Sequence, residues 1–468
     1  MANSKKSQSS DRPNVALPDL PDPLVDAKSV LRKWVKEGDK LVLGLSGGID
    51  SVVALDVLDL LREPHGFSLS AVHIDHQISA NSPRWADFCA RLCSARGIDF
   101  RSVSVNIDAA GGGTEAAARK ARYGVFAEQD ADFIITAHHL DDQAETLLLQ
   151  LLRGAGLKGA SAIPEIRELS RALKGRAPRL LRPFLNVARR EFEAYARGKN
   201  LIWIDDESND NTSFDRNYVR HCIFPIVERR FPGYRTTFAR ASRHFATASA
   251  LLDELAECDA ADAMSAGALR IDALCRLEQA RANNLLRFFL ARAGLILPSA
   301  VKLDEIVRQC RCSSDDSRLL IELGDRQLRR FEGSLRLEPA CTVASFVVGW
   351  SGEARLELPA GAGVLLMKKS IGAGIDAQRL EQHAVTVRTR CGGERLQPDC
   401  KRPRRTLKNL LQENRVPPWQ RARMPLLFCG ETLVWAPGLG VECAYQTAAG
   451  EPGVIPEWQG SAAAREAE

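Results

Sequence analysis

The sequence predicts an α/β protein with a doubly wound parallel sheet at its N-terminal end, then a helical domain and a small α+β domain. Three observations support this fold class. From Lys40 to about Asp206, short apolar runs alternate with helical patterns. From about Asn217 to Arg311 the pattern is mostly helical and rich in Ala, Leu and Arg, and the chain after Gln382 is rich in Arg, Lys, Pro and Trp. Regular alternation of strand and helix is typical of right-handed crossovers in a parallel sheet.

Each predicted strand of the N-terminal region is followed by a predicted helix. The strands are short and apolar, and the helices carry apolar residues at helical spacing. We predict strands at 40–45, 69–75, 99–105 and 132–137, and helices at 51–63, 84–97, 115–130 and 141–154. Alternating apolar and polar residues with glycine turns predict further short strands at 318–339 and 343–368.

These patterns divide the chain into segments. The polar and proline-rich start has no apolar core and predicts a disordered lead-in. We predict a lead-in at 1–22, the sheet domain at 23–216, a mainly helical substrate-binding domain at 217–340, a short-strand connector at 341–382, a basic domain at 383–455 and a frayed tail at 456–468.

Composition excludes several classes of protein. The chain has 468 residues and a net charge of +5, a basic excess too small to prove a nucleic-acid partner by itself. Its 12 cysteines stand apart, without CxxC pairs, so we expect reduced thiols that bind no metal. No apolar run reaches the roughly 20 residues of a membrane-spanning helix. We therefore expect no membrane contact and a cytoplasmic protein.

One loop carries the strongest functional signal. The first predicted strand leads into two adjacent glycines, and a predicted helix follows them directly. The free backbone amides of this turn and the positive end of the helix dipole therefore face the same point. The flanking serines add hydroxyl groups, and the carboxylate of Asp50 is a suitable ligand for Mg²⁺. The loop consists of Ser46, Gly47, Gly48, Ile49, Asp50 and Ser51. It lacks the lysine of the GxxxxGK[ST] loop and the spacing of GxGxxG.

This loop resembles the SGGxDS motif of the N-type ATP pyrophosphatases, the PP-loop family with the adenine nucleotide α-hydrolase-like fold. The resemblance implies that ATP is cleaved to AMP and pyrophosphate while an oxygen atom of the substrate becomes an adenylate. It also implies that the six loop residues bind ATP, together with His73 at the end of the second predicted strand.

Further segments follow in the order of one branch of that family. Each also has a structural explanation, because acids in a first helical turn favour the helix dipole and arginines often form a solvated face. Together they resemble the tRNA(Ile)-lysidine synthetases, although that family commonly has RPLL where RPFL stands here. The segments are HIDH at 73–76, EAAARKARY at 115–123, HHLDDQAET at 138–146, RPFL at 182–185, DESN at 206–209 and RNYVR at 216–220.

The resemblance implies a reaction and its residues. ATP and Mg²⁺ would activate the C2 oxygen of the wobble cytidine in the CAU anticodon of tRNA(Ile), and L-lysine would then displace AMP. Asp50 and Asp142 are predicted to hold Mg²⁺. The predicted catalytic residues are Asp50, Asp141, Asp142, Glu145, Arg119 and Arg122, with the acids as candidates for binding the lysine ammonium and accepting its proton.

A basic segment near the C-terminal end predicts RNA contact. Clustered cations beside a tryptophan suit phosphate binding and base stacking, although a solvated basic face is the simpler explanation. The family has a similar tail. The predicted tRNA-binding residues are Arg216, Arg220, Lys401, Arg402, Arg404, Arg405, Lys408, Trp419 and Arg421.

Two alternative functions remain open from the sequence. Another PP-loop enzyme, such as a tRNA thiolase or an amidating synthetase, would share the loop, but the missing CxxC pair disfavours sulfur transfer. An ATP-binding RNA adaptor without catalysis would not need the complete set of acids. The sequence leaves a homodimer open.

Overall fold

The computed structural model describes residues 22–77, 81–106, 114–169, 177–205, 210–312, 319–340, 345–359 and 361–460. Within them the chain forms two compact units, residues 1–251 and 252–468. The predicted lead-in at 1–22 lies outside the described residues except for Asp22, whose carboxylate accepts a hydrogen bond from the Leu24 amide and caps the first helix. No described helix is long and apolar enough to cross a membrane.

A six-stranded sheet forms the centre of the first unit. Its order is β3-β2-β1-β4-β6-β5, and all neighbours are parallel except the β5–β6 pair at one edge. The predicted doubly wound parallel sheet is therefore confirmed, and the four predicted strands are present within two residues of their expected ends. The strands are β1 (Lys40–Gly44), β2 (Ser68–Asp75), β3 (Asp99–Ser104), β4 (Phe133–Ile135), β5 (Ile166–Glu168) and β6 (Arg179–Leu181).

Helices connect these strands and extend the unit. They are α1 (Pro23–Trp34), α2 (Ile49–His65), α3 (Ser82–Ser94), α4 (Thr114–Ala127), α5 (Leu140–Leu152), α6 (Leu157–Ala160), α7 (Arg189–Gly198), α8 (Asp215–Tyr218), α9 (Phe224–Arg230) and α10 (Tyr234–Ala263). A π-helical turn, Val219–Ile223, joins α8 to α9. The division between the two units falls within α10.

Both faces of the central strands are buried, which explains their continuous apolar runs. Side chains alternate across a strand, so Leu41 and Leu43 pack on one face and Val42 on the other. Leu43 and Ile134 have no exposed surface. Burial on this scale stabilises by roughly 2 kcal/mol for each large aliphatic side chain. The resulting rigid sheet places the ends of β1, β2 and β4 at one edge, where ligands bind in open parallel sheets.

The second unit combines a helical layer with several antiparallel sheets. Its helices are α11 (Ile271–Arg276), α12 (Gln279–Arg292), α13 (Ala300–Cys312), α14 (Ala377–Leu380), α15 (Leu407–Glu413) and α16 (Pro418–Arg423). The first sheet has the order β7-β8-β11-β10-β9, with strands β7 (Met264–Ser265), β8 (Ala268–Arg270), β9 (Leu320–Leu323), β10 (Arg326–Phe331) and β11 (Ser334–Pro339).

The C-terminal strands form two larger sheets and one small one. Their orders are β12-β16-β19-β20-β21, β13-β14-β22-β15 and β17-β18. The strands are β12 (Val347–Trp350), β13 (Arg355–Leu358), β14 (Gly363–Ile371), β15 (Ile375–Asp376), β16 (Val385–Arg388), β17 (Arg395–Leu396), β18 (Arg405–Thr406), β19 (Leu426–Cys429), β20 (Thr432–Ala436), β21 (Gly440–Val441) and β22 (Pro452–Gln459).

The observed cores differ from the predicted division at the C-terminal end. The predicted connector at 341–382 does not stand apart, because Leu365 and Met367 share one hydrophobic core with Val387 and Leu427. The predicted frayed tail begins too early, since β22 continues through 456–459 and pairs with β14. Long-range strand pairing of this kind leaves no local pattern in the sequence.

A disulfide corrects the prediction that all cysteines are reduced. Cys400 and Cys443, separated by 43 residues, form a disulfide bond between the β17–β18 connection and a short 3-10 turn. Nine other described cysteines are free thiols. The pair escaped prediction because proximity of distant residues is a tertiary property that cysteine spacing does not reveal.

Candidate active site

The predicted phosphate loop lies between β1 and α2, and its own hydroxyl groups hold it in shape. Ser51 Oγ accepts hydrogen bonds from the amides of Ser46 (3.2 Å) and Gly47 (3.1 Å) and donates to the Gly48 carbonyl at 2.9 Å. The Gly48 amide donates to Ser46 Oγ at 3.4 Å. Amides and hydroxyl groups therefore converge at the start of α2, an arrangement suited to an anionic group.

Gly47 is required by both its conformation and its surroundings. Its φ of +87° lies in the left-handed region that favours glycine. A Cβ atom there would lie 2.9 Å from Ile204 Cδ1. The Ile204 amide also donates to the Gly47 carbonyl at 2.9 Å. Residues 201–205 thus close one side of the loop, a contact that no motif predicted, while the DESN motif at 206–209 lies outside the described residues.

His73 lies beside the entrance to the loop. Its Nδ1 is 2.8 Å from the carbonyl oxygen of Leu45, so Nδ1 carries the proton and the ring orientation is fixed. The side chain is buried, and the thiol of Cys89 lies 3.8 Å from Nδ1. Direct contact of His73 with ATP stays a prediction.

Asp50 faces a buried histidine at the same sheet edge. Oδ2 of Asp50 and Oδ2 of Asp142 each lie 3.7 Å from Nε2 of His139, and Oδ2 of Asp141 lies 3.8 Å from its Nδ1. Oδ1 of Asp50 is buried and has no hydrogen-bond partner among the described residues. This oxygen is therefore available to a ligand.

Charge within this cluster favours the imidazolium form of His139. Burial opposes that charge, but the carboxylates of Asp142, Asp50 and Asp141 outweigh it and raise the pKa of His139 to about 9. The Asp142 amide approaches Nδ1 at 3.4 Å, a contact that requires a neutral ring. Three carboxylates within 3.8 Å outweigh so long a hydrogen bond. Burial likewise opposes ionisation of Asp142, yet His139 and Arg216 hold its pKa well below the usual range.

The carboxylates of the other predicted acids, Asp141 and Asp142, accept hydrogen bonds from arginine side chains. Asp141 accepts from the Arg189 amide at 2.8 Å and from Arg235. Asp142 accepts from the His139 amide at 2.9 Å and from Arg216 at 2.6 Å.

Glu145 is the most enclosed of these acids. It is 1% exposed, and its two oxygens accept from the Nε atoms of Arg216 and Arg220, each at 2.6 Å. Glu145 is thus a counter-ion in this structure, with neither oxygen available to take a proton from lysine. The prediction that Arg216 and Arg220 contact tRNA is not supported by this geometry, because both guanidinium groups face the buried acids.

A positive cluster lies around Tyr123 on α4. Arg119 Nη2 donates to the Tyr123 hydroxyl at 3.1 Å. Burial alone would raise the pKa of Tyr123, but Arg119, Arg182 and Arg167 outweigh it and lower that pKa. Arg182, from the RPFL motif, is 1% exposed and donates to the Pro164 carbonyl at 2.6 Å. Motif comparison pointed to Arg182 without a role, and the structure places its charge beside Tyr123.

Two histidines are affected by these cations. Burial and the cations Arg182, Arg216 and Arg119, only partly offset by Asp142, lower the pKa of His138 to about 3. Burial, and then the charge of Arg122, lowers the pKa of His76 at the end of β2. The charge of Arg119 therefore acts on His138, and that of Arg122 on His76, at the predicted sheet edge.

The basic segment of the second unit divides into exposed and enclosed residues. Lys401, Arg402, Arg404 and Lys408 are exposed, as RNA contact requires. Several cations of the segment also have partners within the protein. Arg402 pairs with Asp399 and Arg404 with Glu442, Arg405 pairs with Glu413, and Arg421 Nε donates to the Val416 carbonyl at 2.6 Å.

The prediction that Trp419 stacks on a base is wrong for this structure. The side chain is 9% exposed and packs edge-on against Phe331 of β10, with ring centroids 5.5 Å apart. An apolar contact in the tertiary fold has taken the surface that a nucleobase would need.

Comparisons with known proteins cover most of the chain. Residues 24–227 match the model of a PP-loop domain, 269–336 that of a TilS substrate binding domain, and 385–458 that of a TilS substrate C-terminal domain. The tRNA(Ile)-lysidine synthase of Nitrosomonas europaea is 44% identical over 434 residues, which cover 92% of this chain and 94% of the relative. That of Azoarcus sp. is 39% identical over 429 residues, covering 91% and 93%.

The chain belongs to the tRNA(Ile)-lysidine synthase family. This membership confirms the predicted family, the PP-loop fold and an ATP-using ligase that modifies tRNA. Among solved structures, a U34-tRNA thiolase from Methanococcus maripaludis covers 47% of this chain and 76% of its own at 19% identity, with a TM-score of 0.41. So distant a likeness gives no support to the thiolase alternative.

The residues fit a Mg²⁺ ion at Asp50 better than at Asp142. No three His, Cys, Asp or Glu side chains in the described part of the chain form a metal-binding group. Mg²⁺ needs no such group, because it is held by one or two carboxylates together with water and substrate phosphates. Asp50 has an oxygen without a partner, whereas both oxygens of Asp142 already accept hydrogen bonds.

Proposed function

We propose that this member of the tRNA(Ile)-lysidine synthase family joins L-lysine to C2 of the wobble cytidine in the CAU anticodon of tRNA(Ile), with cleavage of ATP to AMP and pyrophosphate. The observation that carries the proposal is the serine-closed loop at the start of α2, with the open oxygen of Asp50 beside it. Phosphate-binding amides and a carboxylate free for Mg²⁺ are the two features that ATP cleavage of this kind requires.

In the first step, the C2 oxygen of cytidine would attack the α-phosphorus of ATP, and the bond to pyrophosphate would break. The amides of Gly47 and Gly48 and the hydroxyls of Ser46 and Ser51 would hold the pyrophosphate. Asp50 would hold Mg²⁺, which offsets negative charge on the phosphates when bound. The cations at Arg119 and Arg122 would stabilise the charge that develops on the phosphates. The cytidine must leave its stack to reach this edge.

In the second step, the lysine amine would attack C2, and the bond between C2 and the adenylate oxygen would break to release AMP. Free lysine is mostly protonated at neutral pH, so an acid must bind the ammonium and take a proton. We assign this role to Asp141 or Asp142, where the lysine ammonium would have to displace the guanidinium of Arg235 or Arg216 from the carboxylate. Glu145 would hold the arginines that complete the cluster.

The test is incubation of the purified protein with tRNA(Ile) bearing CAU, ATP, Mg²⁺ and radiolabelled lysine. We expect acid-precipitable label that is absent when guanosine replaces the wobble cytidine. Cytidine-dependent pyrophosphate release without label would leave adenylation standing and overturn lysine as the nucleophile. A sulfur donor replacing lysine would then test the thiolase alternative. If neither labelled RNA nor released pyrophosphate is detected, the proposal is overturned for this RNA. We place the reaction in the cytoplasm, and sedimentation of the same sample would test for a homodimer.

A further inference from the structure

Two arginines face each other on the β10–β11 hairpin of the second unit. In the antiparallel register, Arg329 lies directly opposite Arg336. Their strand neighbours Leu328 and Leu335 have no exposed surface and belong to the hydrophobic core. Because side chains alternate across a strand, both arginines stand on the face of the hairpin that is turned away from that core.

This pair is unfavourable for the hairpin by itself. Like charges directly opposite in an antiparallel pair repel, and buried polar atoms without partners cost free energy. The Nε atoms of Arg329 and Arg336 are buried and have no hydrogen-bond partner among the described residues, although Arg329 Nη2 donates to Gln327 Oε1 at 2.7 Å. The fold therefore holds two cations side by side with unused hydrogen-bonding capacity.

One acid, Glu338, lies near the two arginines. Glu338 stands on the same face, opposite Gln327. Burial raises its pKa even though Trp419, Arg423, Arg336 and Arg329 all act to lower it. One carboxylate offsets at most one of the three guanidinium groups around it, those of Arg329, Arg336 and Arg423, so the face keeps a cationic excess.

Aromatic rings hold the two guanidinium groups in place. Arg329 lies 5.4 Å from the ring centroid of Trp419 on α16, and Arg336 lies 5.9 Å from that of Phe331. From the same helix, Arg423 Nη2 donates to the Pro339 carbonyl at 3.4 Å. Stacked arginines lose less conformational freedom when they bind an anion, because the rings have already ordered them.

We propose that Arg329 and Arg336, ordered by Phe331 and Trp419 and supported by the charge of Arg423, form a binding site for a backbone phosphate of the RNA substrate. The occupant follows from the proposed function, since the only large polyanion in that reaction is tRNA. The site joins the hairpin to α16, so it spans the segments that match the substrate-binding and C-terminal models. It also gives Trp419 a role in RNA binding without base stacking.

The test compares RNA binding by the full chain and by an Arg329→Gln/Arg336→Gln variant. Equilibrium binding of a tRNA(Ile) transcript is measured without ATP or lysine over a series of KCl concentrations. We expect about tenfold weaker binding at low salt, because a charge-assisted contact is lost. The slope of log K against log salt should become less steep by about 1, the change expected for one phosphate contact.

Two further variants separate phosphate binding from a structural role. Arg270→Gln/Arg276→Gln is the matched control, because both arginines already pair with Asp272. It should leave the salt slope unchanged. Arg329→Lys/Arg336→Lys should restore most of the slope, because it keeps both charges.

A lower melting temperature of the glutamine variant with an unchanged salt slope would overturn the inference and make the pair an intramolecular contact only. Failure of the proposed function would look different. Wild-type protein would then bind tRNA with the expected slope but incorporate no lysine.

Discussion

At the scale of residues, the availability of side-chain atoms decides chemistry more than residue type does. Asp50, Asp142 and Glu145 are all carboxylates at one sheet edge, yet only Asp50 has a buried oxygen without a partner among the described residues. Glu145 is held by two guanidinium groups. The two glycines of the loop also differ, in backbone conformation and in the space around each Cα.

We expect Gly47→Ala and Gly48→Ala to fail for different reasons. Alanine at position 47 would adopt an unfavourable φ and meet Ile204, so it should lower the melting temperature as well as ATP-dependent pyrophosphate release. At Gly48 the nearest atom to an added Cβ is 3.6 Å away, and φ is −70°. Gly48→Ala should keep its melting temperature and lose pyrophosphate release, because only a bound phosphate would meet the methyl group.

Scanning calorimetry and a pyrophosphate assay on the two variants and the wild type would check this pair. Full activity of Gly48→Ala would show that the phosphates do not approach this part of the loop.

At the scale of elements, α5 connects the sheet edge to α8 and to the π-helical turn that follows α8. Asp142 and Glu145, one turn apart on α5, accept from Arg216 on α8 and from Arg220 on the π-helical turn. π-helical turns are rare and frequent at functional sites. Here the turn aims Arg220 back at the acids, which makes this joint both charged and largely buried.

We expect Glu145→Gln to destabilise the first unit, because two guanidinium groups would lose their buried counter-ion. The free energy of unfolding should fall by about 2 kcal/mol. This is less than the ~3–5 kcal/mol for a fully buried pair, because the arginine side chains are 22–27% exposed. The shift of the urea transition measures it. Asp215→Asn is the control, because its pair with Arg153 is exposed and should contribute less than about 1 kcal/mol.

Unchanged stability of Glu145→Gln, together with loss of lysine transfer only, would instead indicate a proton acceptor at this position.

At the scale of the whole molecule, long-range contacts reorganise the second unit relative to its sequence pattern. Strands β12 to β15, within 347–376, complete sheets whose other strands extend to position 459. Cys400 and Cys443 meet in this part of the chain. Reductants convert such a pair to thiols, so the bond is expected in protein purified without reductant.

We expect denatured, unreduced protein to show two fewer reactive thiols than the same protein after reduction. Cys443→Ser should also lower the stability of the second unit under oxidising conditions, by up to about 4 kcal/mol in the chain-entropy model for a loop of this length. A thiol titration and thermal unfolding with and without reductant are the measurements. Cys258→Ser, at an exposed free thiol, is the control. Equal thiol counts in the two samples would show that the pair does not oxidise.

The sequence by itself determined the parallel sheet, the phosphate loop and the family. These depend on short-range information: alternating periods that define strands and helices, and contiguous motifs such as SGGIDS and HHLDDQAET. Only the tertiary structure decided which groups meet. Arg220 and Glu145 are 75 positions apart, Trp419 is buried against a hairpin 88 positions earlier in the chain (419 − 331), and Arg329 faces Arg336 only through strand register. Pairing and burial of distant side chains arise from packing, and packing decides whether a charged or aromatic residue stays free for a ligand.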